Sequence, residues 1–203
     1  MQDVSNITKI KKIFSQNSGY ITRRQVDENN IPSWFLTDFV RKNHLEKITR
    51  GFYASTDWMQ DDFFVFQYKY PKFIFSHDSA LYLLNLTDNL PQSIEVTGPK
   101  NYRPFNPKDL PVIIHTDYKK ETYSIGITKI QTNLGNEVFS YDAEKTVCDL
   151  IRRADRIDSE IYTKALHNYA KKQDKNTSAL LEYARLMGIE KKVYEIMMVV
   201  LNE

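Results

Sequence analysis

The chain has 203 residues, with 28 Lys and Arg against 26 Asp and Glu, a net charge of +2, 41% hydrophobic residues, 6 Gly and 7 Pro. That composition is the one of an ordinary globular protein and excludes collagen-like, low-complexity and charged-tail architectures. At about 100–150 residues per domain, the length allows one large domain or two small ones, and the pattern along the chain favours two.

From Ser5 to Asn17 the apolar residues Ile7, Ile10, Ile13 and Phe14 recur three and four apart, which predicts an amphipathic helix closed by Gly19. A short extended piece at Ile21 follows. Thr22 then caps a second helix that turns Val26 inward and ends at Asn29-Asn30. Pro32 and Ser33 open a third helix. Its core stripe is Phe35, Leu36, Phe39 and Val40, and Trp34, Thr37, Asp38 and Arg41 share the opposite face. After Asn43 the period becomes extended, with Leu45 and Ile48, then Phe52-Tyr53-Ala54, around a turn at Thr49-Arg50-Gly51. Three helices followed by a hairpin make a winged helix-turn-helix, in which the third helix enters a major groove and the hairpin tip reaches a neighbouring phosphate or minor groove.

The aromatic segment Trp58 to Tyr70 is predicted to be helical up to Pro71. Ser76, with Ser79 three residues on, is expected to cap a helix carrying Ala80, Leu81, Leu83 and Leu84. Five prolines between 91 and 111 bound short strands at Ile94–Thr97 and Val112–His115. A strand pair at Ile125–Gln131 and Glu137–Tyr141 turns at Leu134-Gly135-Asn136, and helices follow at 142–154, 158–172, 177–187 and 190–201. The fold class expected is therefore α+β: an N-terminal winged helix-turn-helix over 1–56, a connecting segment over 57–75, and a C-terminal α+β domain over 76–203 with a helical end.

Charge is unevenly distributed between these parts. Residues 1–53 hold nine Lys and Arg against five acids, a balance of +4, and the remainder carries −2. A basic head on a neutral body is the electrostatic footprint of a small nucleic-acid-binding module. Candidate contacts to double-stranded DNA are Thr22, Arg23, Arg24, Ser33, Trp34, Thr37, Arg41, Lys42, Lys47 and Arg50. Arg41 has the fork that bonds a guanine edge, and Arg23 and Arg24 sit where a helix N-terminus already attracts phosphate.

Enzyme signatures are missing. The chain contains no G-x-x-x-x-G-K-[ST], G-x-G-x-x-G, G-x-S-x-G or H-E-x-x-H. His44, His77, His115 and His167 lie far apart in sequence with no pair at helical spacing, so each is expected to be structural or solvated, and no metal or cofactor is predicted. Cys148, between Val147 and Asp149 and two residues from Leu150, is expected to be a buried inert thiol. A metal-dependent nuclease needs carboxylates gathered near a Lys; Glu95 has no such spacing, and Asp61-Asp62 are expected to form a solvated first turn of a helix. No catalytic residue is assigned, although a nucleic-acid-processing enzyme with a DNA-binding head is the alternative reading.

Met1 to Phe14 has lysines but no apolar run after them, and the stretch Ile196–Leu201 is far below the roughly 18 residues of a bilayer span, so neither signal nor membrane anchor is expected. A single cysteine allows no intramolecular disulfide and points to the cytoplasm.

Three ordered segments carry a family resemblance. They are Gly19-Tyr20-Ile21-Thr22 with Ile31-Pro32 and Leu45-Glu46-Lys47-Ile48-Thr49-Arg50-Gly51-Phe52-Tyr53; Ser76-His77-Asp78-Ser79-Ala80-Leu81-Tyr82-Leu83 followed by Ile94-Glu95-Val96-Thr97; and Tyr141-Asp142-Ala143-Glu144-Lys145-Thr146-Val147-Cys148-Asp149-Leu150. Together they resemble the AbiEi family of antitoxins over residues 5 to at least 155. The resemblance implies a bacterial transcriptional autorepressor that binds inverted repeats in its own promoter. It also implies a type IV antitoxin that counters a nucleotidyltransferase toxin in abortive phage infection without a stable direct complex. With no heptad or long apolar stripe to suggest an obligate dimer, a monomer in solution that binds cooperatively on DNA is expected.

Overall fold

The computed structural model describes residues 2–99, 102, 111–116 and 120–200. Pro104, Pro107 and Leu201, all used in the sequence reading, lie outside the described residues. The chain is mixed α+β and divides into two compact units, Met1–Val65 and Phe66–Glu203. Among the described residues no helix is long and apolar enough to cross a membrane.

In the N-terminal unit, α1 (Gln2–Gln16) leads through Gly19 into β1 (Tyr20–Thr22), α2 (Arg23–Glu28), α3 (Ser33–Lys42) and a hairpin of β2 (Glu46–Thr49) and β3 (Phe52–Ala54). Gly19 has φ +95° and approaches Ser55 so closely that a Cβ would stand 2.7 Å from its Oγ, so the turn out of α1 requires glycine. The three strands form one antiparallel sheet in the order β1-β3-β2. Thr22 starts α2 with a capping box: the Gln25 N–H donates to Thr22 Oγ1 at 3.2 Å and the Thr22 N–H donates to Gln25 Oε1 at 2.8 Å. Thr22→Ala is expected to lower the stability of this unit by about 1 kcal/mol, read as a shifted denaturation midpoint of tryptophan fluorescence.

Ile10, Ile21, Val26, Ile31, Phe35, Leu36, Phe39 and Leu45 form the core, with Val40 and Phe14 packed at its edge. Phe14 meets Phe39 edge-on, with ring centroids 5.4 Å apart. The helical phases predicted for α2 and α3 hold. In α1, Ile10 is buried but Ile7 is on the surface, so the apolar stripe is narrower than its spacing implies.

The aromatic segment is not helical from Trp58. α4 spans Asp62–Lys69 because Asp61 is buried and its Oδ1 accepts the N–H of Phe64 at 3.0 Å, which fixes the start of the helix there. This overturns the expectation of a solvated Asp61, while Trp58 is used in packing against Tyr20 and Phe52.

The C-terminal unit is built on a five-stranded mixed sheet in the order β6-β5-β4-β8-β7, from β4 (Ile74–Phe75), β5 (Ile94–Gly98), β6 (Val112–Thr116), β7 (Ile127–Gln131) and β8 (Glu137–Tyr141). α5 (His77–Leu83) follows β4, and α6 (Lys120–Ser124) precedes β7. After β8 come α7 (Ala143–Arg152), a 3-10 turn at Ala154–Arg156, α8 (Ser159–Lys171), α9 (Thr177–Leu186) and α10 (Glu190–Val200). Ser76 is the N-cap residue of α5, but its side chain makes no cap bond. Its hydroxyl instead accepts from Thr97 Oγ1 at 2.9 Å and meets His77 Nδ1 at 2.9 Å, while Ser79 Oγ accepts the N–H of Glu95 at 2.8 Å. Both serines thus tie α5 to β5. The apolar core joins Leu81 and Leu86 to Val147, Ile151, Leu166, Leu180 and Val193, with the Cys148 thiol at its centre, where burial pushes its pKa up to about 12.

Candidate nucleic-acid interface and a cationic cavity

In the N-terminal unit the outer face of α3 carries Trp34, Thr37 and Arg41, all exposed, with Asp38 partly so. Trp34 is 55% exposed, and its ring stacks on Phe35 at 3.7 Å, which holds the indole flat against the helix. Ser33 is exposed at the first position of α3. The N-cap there is Pro32 and no side chain caps the helix, so its positive end is left to solvent. Lys47 and Arg50 are exposed on the hairpin. The hairpin turn is fixed against α2: the Arg23 N–H donates to Gly51 O at 2.6 Å, and Gly51 has φ +75°. Thr22 is buried and its hydroxyl is used within the capping box, so it positions α2 and presents no side chain outward.

The candidate cations are less free than their charge count implies. Arg23 pairs with Asp27 and Arg24 with Glu28, both at 2.8 Å. Asp38 accepts from Lys42 at 2.7 Å and from Arg41 at 2.9 Å, and these bonds hold its carboxyl below the usual carboxylate range. All of the Lys and Arg partners in these pairs are exposed. Pairs of this kind contribute about 0–1 kcal/mol each, so an incoming phosphate can replace a carboxylate at little cost.

The second site lies wholly within the C-terminal unit and was not legible as a site in the sequence. It is a cavity of about 470 Å³. One wall is α7, where Lys145, Asp149 and Arg152 follow at intervals of four and three and so share a face; Arg153 and Arg156 continue it through the 3-10 turn. The opposite wall comes from the sheet. Period-two alternation puts Glu95 and Thr97 on one face of β5, and the parallel register sets His115 of β6 beside Thr97. His77, at φ +52° on the first residue of α5, lays its ring on that of His115 with centroids 3.8 Å apart. Leu186 and Met187 at the end of α9 close a third side.

Hydrogen bonding sets the roles. Lys145 is 1% exposed; its Nζ bonds Asp149 Oδ2 at 2.7 Å and lies 4.6 Å from the centroid of the Tyr141 ring. Asp149 Oδ1 also accepts from Arg152 at 2.8 Å. His115 Nε2 meets Glu95 Oε2 at 2.6 Å. Arg153 Nη1 stands 3.5 Å from the same Glu95 oxygen and, among the described residues, is a buried donor without a hydrogen-bond partner. Ser76 Oγ accepts from Thr97 and, with a second lone pair and its own hydrogen, can accept from or donate to His77 Nδ1 according to the tautomer of the ring. His77 is neutral because burial, and then the proximity of His115 and of the cations Arg153, Lys145 and Arg152, push its pKa down to about 2.

His77, Glu95 and His115 bring their ligand atoms within 4.8 Å of one another, the residue types that coordinate zinc-like cations. The surroundings oppose a cation there. Glu95 is shared between His115 and Arg153, and the cavity wall carries Lys145, Arg152, Arg153 and Arg156 against one further carboxylate, Asp149. His77 and His115, far apart in sequence and expected to be structural or solvated, are brought together by the docking of α5 on β5 and the pairing of β5 with β6.

Residues 9–56 match the family described as transcriptional regulators, AbiEi antitoxins, which bears out the resemblance for this segment. No curated protein matches the chain. In fold, the chain is similar to the crystal structure of the RV2827C protein from Mycobacterium tuberculosis, with a TM-score of 0.56 and 11% sequence identity, over 98% of this chain and 76% of that one.

Proposed function

We propose that this protein is a DNA-binding transcriptional regulator and antitoxin. In this reading the N-terminal unit is a winged helix-turn-helix that represses its own promoter through inverted repeats, and the C-terminal unit, acting in the cytoplasm, counters a nucleotidyltransferase toxin of an abortive-infection system without a stable complex. The observation that carries it is the family match over residues 9–56, which covers the second half of α1 and everything from β1 to β3. The arrangement supports it: α3 is amphipathic with Trp34, Thr37 and Arg41 outward, and the hairpin turn is bonded to the start of α2. Arg23, Arg24, Lys42, Lys47 and Arg50 are assigned to phosphates, Ser33 to a phosphate at the open end of α3, and Trp34, Thr37 and Arg41 to the groove.

A gel shift with the region upstream of the gene tests this. Affinity is expected to fall steeply between 50 and 200 mM salt, since each neutralised phosphate releases counterions. Arg41→Ala is expected to cost about 1–3 kcal/mol on the cognate site and to relax specificity there, whereas Arg23→Ala/Arg24→Ala weakens binding to all sequences and lessens the salt slope. A flat salt response, or an equal loss for Arg41→Ala on random DNA, contradicts these roles. Light scattering of the free protein is expected to give 23.9 kDa, with the two half-sites filled cooperatively on DNA.

A further inference from the structure

We propose that the cavity of the C-terminal unit binds a nucleoside di- or triphosphate, with Lys145, Arg152, Arg153 and Arg156 on the phosphates and Leu186 and Met187 against the base. Three observations carry this. First, charge: the four cations face two carboxylates, Asp149, which divides its oxygens between Lys145 and Arg152, and Glu95, which is shared between Arg153 and His115. The cavity wall therefore holds a surplus of positive charge on a concave surface, which focuses the field on whatever enters. A single carboxylate ligand would balance only part of it, whereas a di- or triphosphate carries more than one negative charge.

Second, donors: the buried Arg153 Nη1 makes no hydrogen bond among the described residues and has Glu95 Oε2 only at ion-pair distance, 3.5 Å, and the Lys145 ammonium, with three hydrogens, is matched in its wall by the Asp149 oxygen. Keeping such groups away from water is costly unless an acceptor arrives, and a phosphate supplies several on one centre. The neutral His77 adds a polar ring edge to the wall, its low pKa owed first to burial and then to the positive groups around it. Third, size: about 470 Å³ lies in the range of small-molecule sites, roughly 300–1,000 Å³, and is far larger than an inorganic phosphate needs. The apolar and thioether side of the cavity, Leu186 and Met187, suits a flat heterocycle.

The test is calorimetric titration of the full chain, in EDTA, with ATP, GTP, CTP, UTP and their diphosphates, the four nucleosides, and inorganic phosphate. At least one di- or triphosphate is expected to bind at one per chain, with an affinity at least tenfold above that of its nucleoside and of phosphate. Arg153→Gln is expected to weaken it tenfold or more. Arg156→Ala, in an exposed side chain whose loss cannot unfold the unit, is expected to weaken it severalfold. Binding of phosphate alone, binding that both variants leave unchanged, or no binding at all overturns the proposal. So does stoichiometric zinc uptake that is lost in His115→Ala, in a protein that no nucleotide binds.

Discussion

Asp149→Ala is expected to lower the stability of the C-terminal unit by about 3–5 kcal/mol, the range seen when one partner of a buried ion pair is removed. Asp149 and Lys145 are both buried on successive turns of α7, and the Asp149 oxygens are divided between Lys145 and Arg152. Without the carboxylate, Lys145 keeps an ammonium in a wall it cannot leave, beside Arg152 and Arg153. The double variant Lys145→Met/Asp149→Leu removes both charges and fills similar volume, so it is expected to recover most of the loss. Cys148 provides the readout. It is the chain's one cysteine and is fully buried in this unit's core, so its modification by a thiol reagent in increasing urea follows the opening of the C-terminal unit alone. A midpoint for Asp149→Ala within the equivalent of 1 kcal/mol of the parent would show that water or a compensating shift relieves Lys145.

The same residues show what a sequence can and cannot display. The elements of the N-terminal unit are written in local terms: Thr22 and Gln25 lie three residues apart and cap one helix, Gly51 sits in its own turn, and Phe35, Leu36 and Phe39 declare the buried side of α3 by spacing. Departures arose where a tertiary contact overrode local preference. Asp61 is buried, so α4 begins at Asp62 and not at Trp58, and Ser76 spends its hydroxyl on Thr97 and His77 and not on capping α5. β4, two residues long, is too short for any periodicity to reveal. Gln67, buried, donates to Phe73 O and accepts from the Phe139 N–H, a role that no spacing announces.

The cavity was hidden for a different reason. His77, Glu95, His115 and Lys145 span almost 70 positions and meet only through the pairing of β5 with β6 and the docking of α5 and α7. Two partial signals existed: the one-face run Lys145, Asp149, Arg152 on a helix, and the alternation that puts Glu95 and Thr97 on one side of a strand. Neither points to the other without the register. The charge count misled in the opposite sense at the N-terminus, because the acids that neutralise Arg23, Arg24 and Arg41 lie three or four residues along the same helices.

Phe39→Ala is expected to remove most of the stability of the N-terminal unit, about 3–5 kcal/mol for an aromatic taken from a core. Phe39 is 8% exposed within the cluster of Ile10, Leu36 and Leu45, and its ring is the edge-on partner of Phe14, so α1 and α3 both lose their contact. A unit of about 65 residues seldom holds more than about 3–5 kcal/mol in total, so the variant is expected to be largely open at 37 °C. Both tryptophans, Trp34 and Trp58, belong to this unit, so their fluorescence reports it, while protection of the Cys148 thiol reports the other. Under the proposed division of labour the fluorescence transition shifts or vanishes, thiol protection persists and promoter binding is lost, yet co-expression with the cognate toxin still permits growth. Arg23→Ala/Arg24→Ala/Arg41→Ala, which leaves the core intact, is expected to lose repression and keep rescue with both folding readouts at parent values. Loss of rescue in that folded triple variant would assign the antitoxic role to DNA binding itself, and thiol exposure in Phe39→Ala would show that the C-terminal unit depends on the N-terminal one for its stability.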